Sequence, residues 1–180
     1  DCLISVDTYK SNVASEAINS GASIVNDISG LTYDKKMASL IIEKNIPLIL
    51  MHMKGKPKTM QEEPFYKDII SEICNFFKMQ INQLRKLNIS YDKIILDPGI
   101  GFGKTWDDNM TILRGIKSLK KALPYPMLIG ASRKSWLEPI LHQPQDKRLI
   151  GSIIAASWAW AQGATIIRTH DPRQTREALM

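Results

Sequence analysis

The segment KIILDPGIGFGK, residues 93–104, places a short apolar run directly before an acidic residue and a glycine-rich turn. The run Lys93–Leu96 is apolar without polar alternation, as expected for a strand that is buried on both faces. It ends at Asp97, and a helical pattern follows the glycines. A strand followed by a helix predicts one unit of an α/β fold whose strands pair in parallel.

Five further segments have the same form, an apolar run that ends on polar side chains and is followed by a helical pattern. The runs and the polar residues after them are Leu3–Val6 with Asp7, Ser23–Val25 with Asn26 and Asp27, Pro47–Met51 with His52, Met127–Gly130 with Ser132, Arg133 and Lys134, and Thr165–Ile167 with Arg168 and His170. Because each crossover returns the chain to the same end of the sheet, all these polar groups are expected on one rim. That rim, at the carboxyl ends of the strands, is where α/β folds bind their ligands.

Composition narrows the class of protein. The chain has 180 residues, 44% of them hydrophobic, and is predicted to form one domain over residues 1–180. Its net charge of +6 is scattered over helix faces, and no basic groove with interleaved aromatic residues indicates nucleic-acid binding. No apolar run approaches the roughly 18 residues of a membrane span. Cys2 and Cys74 have no disulfide or metal-site spacing, which favours the reducing cytoplasm.

The glycine-rich turn admits two interpretations. A nucleotide-binding P-loop requires a glycine five residues before Gly103, but that position is Pro98, which also lacks an N–H donor. The alternative is that the glycines let the backbone turn sharply beneath a flat ligand, on which the Phe102 ring stacks. We favour the second interpretation, a planar heterocycle.

Three strand-end residues carry the polar groups that such a heterocycle needs. Asp7 and Asp97 can accept hydrogen bonds from an amino-amidine edge, as in a pterin or guanine ring, and Asn26 can both donate and accept there. The structural alternative is that a strand-end acid caps the following helix or pairs with a lysine. For Asp27, a helix cap and a functional role are both open.

Cationic residues follow the last two strands. Arg133 and Lys134, adjacent at the start of a helix, are unfavourable unless an anion or a π-system is close. Arg168 and His170 alternate along the last strand and are therefore expected on one side, as a clamp for phosphate or pyrophosphate. His52 has no metal-ligand companions at suitable spacing, so no zinc site is predicted.

The connection HMKGKPKTMQEEP, residues 52–64, is longer than a simple turn requires. It follows the third strand with mixed charge, two prolines and a glycine. An ordered active-site loop and a mobile lid both fit such a segment.

Six segments of the chain together resemble the dihydropteroate synthase family, in that family's order and spacing. They are ISVDT (4–8), NDISG (26–30), LMHMKGKPKTMQ (50–61), DPGIGFGK (97–104), GASRKS (130–135) and IIRTHD (166–171). The resemblance implies an α/β fold, the (β/α)₈ TIM barrel, here N-terminally incomplete with six βα units. It also implies a transferase of folate biosynthesis that joins 4-aminobenzoate to 6-hydroxymethyl-7,8-dihydropterin pyrophosphate and releases pyrophosphate with the help of Mg²⁺. Such an enzyme is expected to be a cytoplasmic homodimer and a sulfonamide target.

The resemblance also implies roles for individual residues. Pterin contacts are expected from Asp7, Asn26, Met51, Asp97 and Lys134. The 4-aminobenzoate site is expected to be bordered by Phe102, Ser132 and Arg133, and the pyrophosphate to be held by Arg168 and His170. Catalytic roles fall to Asp7, Asp97, Lys134, Arg168 and His170. The family's metal-binding asparagine lies on an earlier strand, so no metal ligand is assigned to this chain.

The chain departs from the family pattern at its start, since it resembles the family only from the third strand to the eighth. We therefore expect the 180-residue polypeptide alone to be inactive, or nearly so, as a fragment of a complete enzyme. Two other functions are open. One is a pterin-binding methyltransferase domain, against which the cations at the rim argue because a methyl transfer has no pyrophosphate to hold. The other is a non-catalytic pterin-binding remnant.

Overall fold

Six parallel strands alternate with helices in the computed structural model, which describes residues 2–55 and 59–180. The strands are β1 (Ser5–Asp7), β2 (Ile24–Asp27), β3 (Leu48–Met51), β4 (Ile94–Asp97), β5 (Leu128–Ile129) and β6 (Ile166–Ile167). The helices are α1 (Ser11–Asn19), α2 (Met37–Lys44), α3 (Ile69–Lys86), α4 (Trp106–Ala122), α5 (Glu138–Leu141), α6 (Leu149–Ala161) and α7 (Pro172–Leu179). Short 3₁₀ turns cover Tyr91–Lys93, Ser135–Leu137 and Gln145–Lys147.

The strands follow one another in space as they do in the chain. The strands β1, β2, β3 and β4 form a continuous parallel sheet, and β5 pairs in parallel with β6. A parallel bridge between Leu96 and Met127 joins the two groups. The carboxyl ends of all six strands therefore lie on one rim, and the prediction of an α/β fold with six βα units is confirmed.

The strand ends differ from the predicted ones at the rim. Asp7, Asp27 and Asp97 are the last residues of their strands, so the ladder holds these acids directly. The last strand is shorter than predicted and ends at Ile167. The expectation that Arg168 and His170 alternate along this strand is therefore wrong. The backbone N–H of Arg168 still donates to the Ile129 carbonyl (3.0 Å), but the chain then leaves the ladder.

Helices cover the outer face of the strands and bury their apolar stripes there. The apolar stripe of α3 consists of Ile69, Ile73, Phe77, Ile81 and Leu84, all of which are buried. The neighbouring helix α4 contributes Ile112, Leu113, Ile116 and Leu119. Burial of these side chains against strands that are themselves apolar supplies the main stabilisation of the fold.

Helix caps fix the loops that lead away from the rim. The Asp68 side chain accepts from the N–H groups of Ile70 and Ser71 and begins α3. Thr105 and Asp108 form a reciprocal capping box that begins α4 immediately after the glycine-rich turn. That turn is thereby anchored by β4 at one end and by a capped helix at the other.

Among residues 2–55 and 59–180, no helix has both the length and the apolar character needed to cross a bilayer. Cys2 and Cys74 are both free thiols.

Candidate active site at the carboxyl rim

Asp7 and Asn26 form a hydrogen-bonded pair at the ends of β1 and β2. They are partners in the parallel register, and the Asn26 amide nitrogen donates to Asp7 Oδ1 at 2.7 Å. Asn26 is buried, and its Oδ1 has no hydrogen-bond partner in the described part of the chain. Because buried polar atoms normally have a partner, this oxygen is a candidate acceptor for a ligand donor.

Asp97 lies deeper, at the end of β4. Its side chain is buried and accepts from the Gly99 N–H at 2.7 Å. Burial raises the pKa of this carboxyl, while the Lys134 ammonium and other nearby cations act in the opposite direction. Met51, its register partner on β3, is also buried.

Arg168 reaches across the rim to Asp7. Its guanidinium donates to Asp7 Oδ2 at 2.5 Å, and both side chains are about half exposed. His170 turns the other way, with Nδ1 3.1 Å from the Ser132 hydroxyl oxygen. The same hydroxyl accepts from the His170 backbone N–H at 3.2 Å, so the loops after β5 and β6 are joined at this residue.

Arg133 and Lys134, the two adjacent cations after β5, each lie close to an anion or a π-system, as the sequence analysis expects. The Lys134 ammonium donates to the Ile100 carbonyl at 2.7 Å and lies 4.5 Å from the centre of the Phe102 ring. Burial lowers the pKa of Lys134 to about 8. Arg133, in a left-handed backbone conformation, makes a two-point ion pair with Asp171.

An open cavity of about 710 Å³ lies at the rim and gathers most of the residues expected there. Its lining includes Asp7, Phe102, Ser132, Lys134, Arg168 and His170. Asn26 instead lines a second cavity, which is surrounded by residues of the six strands and which Asp7 and Arg168 also line. Asp97 and Met51 are buried behind this surface, and Arg133 is turned toward Asp171.

Several residues near the cavity are missing from the sequence predictions. Among them are Lys10 and Gln145, which line it, and the buried Lys104, which hydrogen-bonds to Phe102 of the lining. Of these, only Lys104 could have been noticed in the sequence, because it directly follows the glycine-rich turn after β4. In a P-loop a lysine at this place would extend toward phosphate, whereas the Lys104 ammonium donates to the carbonyl oxygens of His52 (3.2 Å) and Phe102 (2.9 Å).

Asp27 has a structural role in this arrangement. Its buried carboxylate accepts from the N–H and hydroxyl of Ser29 and from the N–H of Leu31. It therefore holds the turn after β2, and the helix-cap alternative is wrong because the nearest helix begins only at Met37.

The connection after β3 packs on the glycine-rich turn. Gln61 donates to the Gly101 carbonyl at 2.6 Å, and the Tyr66 hydroxyl donates to the Gly103 carbonyl at 2.8 Å. These contacts favour an ordered loop over a lid for the parts of the connection that are described. Residues 56–58, in the middle of the predicted loop or lid, lie outside the described residues.

Within residues 2–55 and 59–180, no three His, Cys, Asp or Glu side chains are grouped so that they could hold a metal ion. Mg²⁺ is usually held by one or two carboxylates together with substrate phosphate oxygens.

Comparison with known proteins decides the family. A family profile described as "Pterin binding enzyme" matches residues 1–170. The chain belongs to this family. Among curated relatives, the dihydropteroate synthase of Synechocystis sp. is 44% identical over 95% of the chain, and that of Escherichia coli is 41% identical over 98%. The chain spans 59% and 62% of the length of these two pterin binding enzymes.

A solved structure gives the same result for the fold of this pterin binding enzyme. Dihydropteroate synthase from Yersinia pestis, in a structure with a sulfonamide drug complex, superposes with a TM-score of 0.95 at 39% identity. The alignment covers 99% of the present chain and 65% of the Yersinia chain. The predicted family resemblance and the partial TIM-barrel fold are thereby confirmed.

The buried His52 predicts a measurable dependence of stability on pH. It packs edge-on against Phe76 (5.1 Å between ring centres), and burial lowers its pKa to about 3. The unfolded chain takes up a proton near the ordinary value of 6.5, whereas the folded chain does not, so stability falls as the pH drops from 6.5 toward 3. This residue alone should cost about 2 kcal/mol of unfolding free energy between pH 7 and pH 5.

Denaturant titrations at pH 7 and pH 5 measure this loss. His52→Phe keeps a ring against Phe76 but removes the titrating group. Its loss of unfolding free energy between pH 7 and pH 5 should therefore be about 2 kcal/mol smaller than that of the wild type. His142→Asn, at an exposed position with a left-handed backbone, is the control and should lose as much stability as wild type. Equal losses in wild type and His52→Phe would disprove the assignment.

Proposed function

We propose that this chain carries the pterin and pyrophosphate sites of a dihydropteroate synthase, which condenses 4-aminobenzoate with 6-hydroxymethyl-7,8-dihydropterin pyrophosphate. The observation that carries the proposal is the division of the rim into two chemical halves. Acceptors at Asp7, Asn26 and Asp97 suit a ring with N–H donors, and the donors of Arg168 and His170, which line the rim cavity, suit an anionic group. Family membership and relatives named dihydropteroate synthase support this assignment.

The pterin is proposed to bind at the acidic half. Its amino-amidine edge presents N–H donors, for which the buried Asp97 carboxylate and the unpartnered Asn26 Oδ1 are suitable acceptors. Lys134, whose ammonium lies close to Asp97, can donate to the acceptor atoms on the other side of the ring. The buried Met51 would form an apolar wall of the same pocket.

The pyrophosphate is proposed to bind where Arg168 and His170 line the cavity. An arginine fork matches the oxygens of pyrophosphate, and it would exchange its partner Asp7 for this anion. The freed Asp7 carboxylate would then face the pterin methylene. The 4-aminobenzoate would enter beside Phe102 and Ser132, where the aromatic ring has a face to stack on.

The pair of Arg133 with Asp171 leaves donors for the carboxylate of 4-aminobenzoate. A guanidinium has five N–H donors. Asp171 accepts from Nε and Nη2, so Nη1 keeps both of its donors free of this ion pair. Asp171 would thus fix the direction in which Arg133 presents its remaining N–H groups.

The chemical step follows from these positions. The neutral arylamine nitrogen attacks the methylene carbon, the C–O bond to pyrophosphate breaks, and the nitrogen loses a proton. Asp7 and Asp97 stabilise positive charge that develops on the pterin methylene, and Arg168 and His170 stabilise the leaving anion. Mg²⁺ is proposed for the complete reaction on family resemblance alone, and the cytoplasm on the two free thiols.

Calorimetry with the two substrates tests the function. We expect the chain to bind pterin pyrophosphate first and 4-aminobenzoate only afterward, because the pterin occupies the deeper part of the rim. Binding of the pterin without any response to the arylamine would instead indicate a methyltransferase domain or a non-catalytic remnant. Absence of pterin binding would refute the proposal. Turnover by the 180-residue chain alone is expected to be undetectable, and product formation would contradict that expectation.

The role of Asp97 is tested in a full-length synthase that contains this segment. Asp97→Asn keeps the shape but removes the charge, so turnover should fall by about 100-fold or more. The denaturation midpoint should change little by comparison. Asp92→Asn, at an exposed acid before the same strand, is the control and should retain normal turnover. Near-normal turnover of Asp97→Asn would rule out its charge-stabilising role.

We also propose that a second copy of the chain covers the outer face of α6. Ile150, Ile154 and Trp158 recur every four residues along this helix and are 71%, 64% and 50% exposed. They continue into an apolar groove that Ile140 and Leu141 of α5 also line. A contiguous apolar patch of this kind is typical of a subunit interface, and a two-fold dimer would place the same patch against itself.

Light scattering after size exclusion measures this association. The wild-type chain is expected to run as a dimer, and Ile154→Asp as a monomer, because the new charge would be buried unpaired in the interface. Val13→Asp, at an exposed apolar position on α1, should remain dimeric. A monomeric wild type, or a dimeric Ile154→Asp, would exclude this face as the interface.

A further inference from the structure

Lys104 is a buried cation that none of the roles described above uses. Only 3% of the residue is exposed, although lysine is almost never buried without partners. Its ammonium joins two loops, since it donates to the carbonyl of His52 after β3 and to that of Phe102 in the glycine-rich turn. The Phe102 ring lines the rim cavity, so one end of this bridge belongs to a residue of the proposed site.

Packing alone does not require a lysine at this position. The turn is already fixed by the Thr105 cap and by glycines that approach neighbouring backbone closely. A Cβ on Gly99 would lie 2.0 Å from the His52 carbonyl oxygen, and one on Gly103 would lie 2.2 Å from the Lys54 carbonyl oxygen. An uncharged side chain of similar length, such as methionine, could fill the same space without the cost of burying an ammonium.

Geometry places this ammonium beside the residue that holds Asp97. The Gly99 N–H donates to Asp97 Oδ1 at 2.7 Å, and Lys104 Nζ lies 3.4 Å from the position that a Cβ of Gly99 would occupy. Asp97 favours the charged form of Lys104, and Lys104 in turn favours the charged form of Asp97. The other charged or titratable groups that act on Lys104 or are affected by it are Lys134, Asp108 and His52. Burial lowers the pKa of Lys104 to about 7, so most molecules carry this charge only below neutral pH.

We propose that Lys104 is a positioning residue of the pterin site, which keeps Asp97 ionised and holds the turn that carries Phe102. The inference rests on the proposed function, since Asp97 and Phe102 are assigned to the two substrates there. An ionised Asp97 accepts hydrogen bonds from the amino-amidine edge of the pterin, whereas a protonated one loses part of that capacity. Lys104 would therefore act on the pterin through Asp97, without touching it.

The electrostatic part is tested without any ligand. The carboxyl carbon of Asp97 is followed by NMR across the pH range in wild type, Lys104→Met and Lys93→Met. Lys93 is the matched control because its ammonium also donates to a backbone carbonyl, that of Asn45 (3.0 Å), but at the amino end of β4. Lys104→Met should move the Asp97 titration midpoint up by about one pH unit or more, and Lys93→Met should leave it in place.

A wild-type measurement keeps this test valid if Lys104→Met does not fold. Because the two groups are coupled, the Asp97 signal should show a second, smaller step at the pH where Lys104 loses its proton, and this step should persist in Lys134→Met, which lacks the other ammonium that acts on Asp97. An Asp97 curve with no such step, or one that is identical in wild type and Lys104→Met, would overturn the proposal.

The functional part is tested by calorimetry with pterin pyrophosphate. Lys104→Met should bind it about tenfold more weakly than wild type at pH 6.5, and Lys93→Met should bind it equally well. Binding that is equally tight in wild type and Lys104→Met would refute the role of Lys104 while leaving the proposed function intact. A wild type that does not bind the pterin would refute the proposed function itself, and with it this inference.

Discussion

Parallel pairing of the strands is the constraint on which the site depends. Each helix returns the chain to the same end, so the polar residue that ends one strand must lie beside the residue that ends the next. Asp7 meets Asn26, and Met51 meets Asp97, because the ladder register sets them opposite one another. A site assembled in this way is as rigid as the sheet, which lets loops vary without moving the groups that contact the ligand.

The buried charge of Asp97 at this rim is offset by nearby groups of opposite charge. Asp97 is fully enclosed, and an isolated carboxylate there would be protonated or strongly destabilising. Two ammonium groups, on the buried Lys104 and the partly buried Lys134, offset part of that cost, and both donate to backbone carbonyls. These groups influence one another's protonation. Removing one of them would shift the pKa values of the others.

Sequence patterns predicted the strands, their parallel pairing and the rim, because these follow from periodicity and from the alternation of strands with helices. The positions of Asp7, Asn26 and Asp97 could be predicted in this way. The partners of the long side chains could not, because a lysine or arginine reaches several possible acceptors from one backbone position. The pairing of Arg133 with Asp171 and the hydrogen bonds of Lys104 to two backbone carbonyls both depend on such choices.

The ion pair between Arg168 and Asp7 differs in kind from the buried charges. Both side chains are about half exposed, so the pair is screened by water and contributes on the order of 1 kcal/mol or less. In the proposed function, exchange of Asp7 for a pyrophosphate oxygen would therefore cost little, because the anion would offer Arg168 a more highly charged partner. The same exchange would release Asp7 toward the pterin. The pyrophosphate and pterin parts of one substrate would thus be coupled through the weak ion pair between Arg168 and Asp7. Binding of the pyrophosphate to Arg168 would free Asp7 to face the pterin.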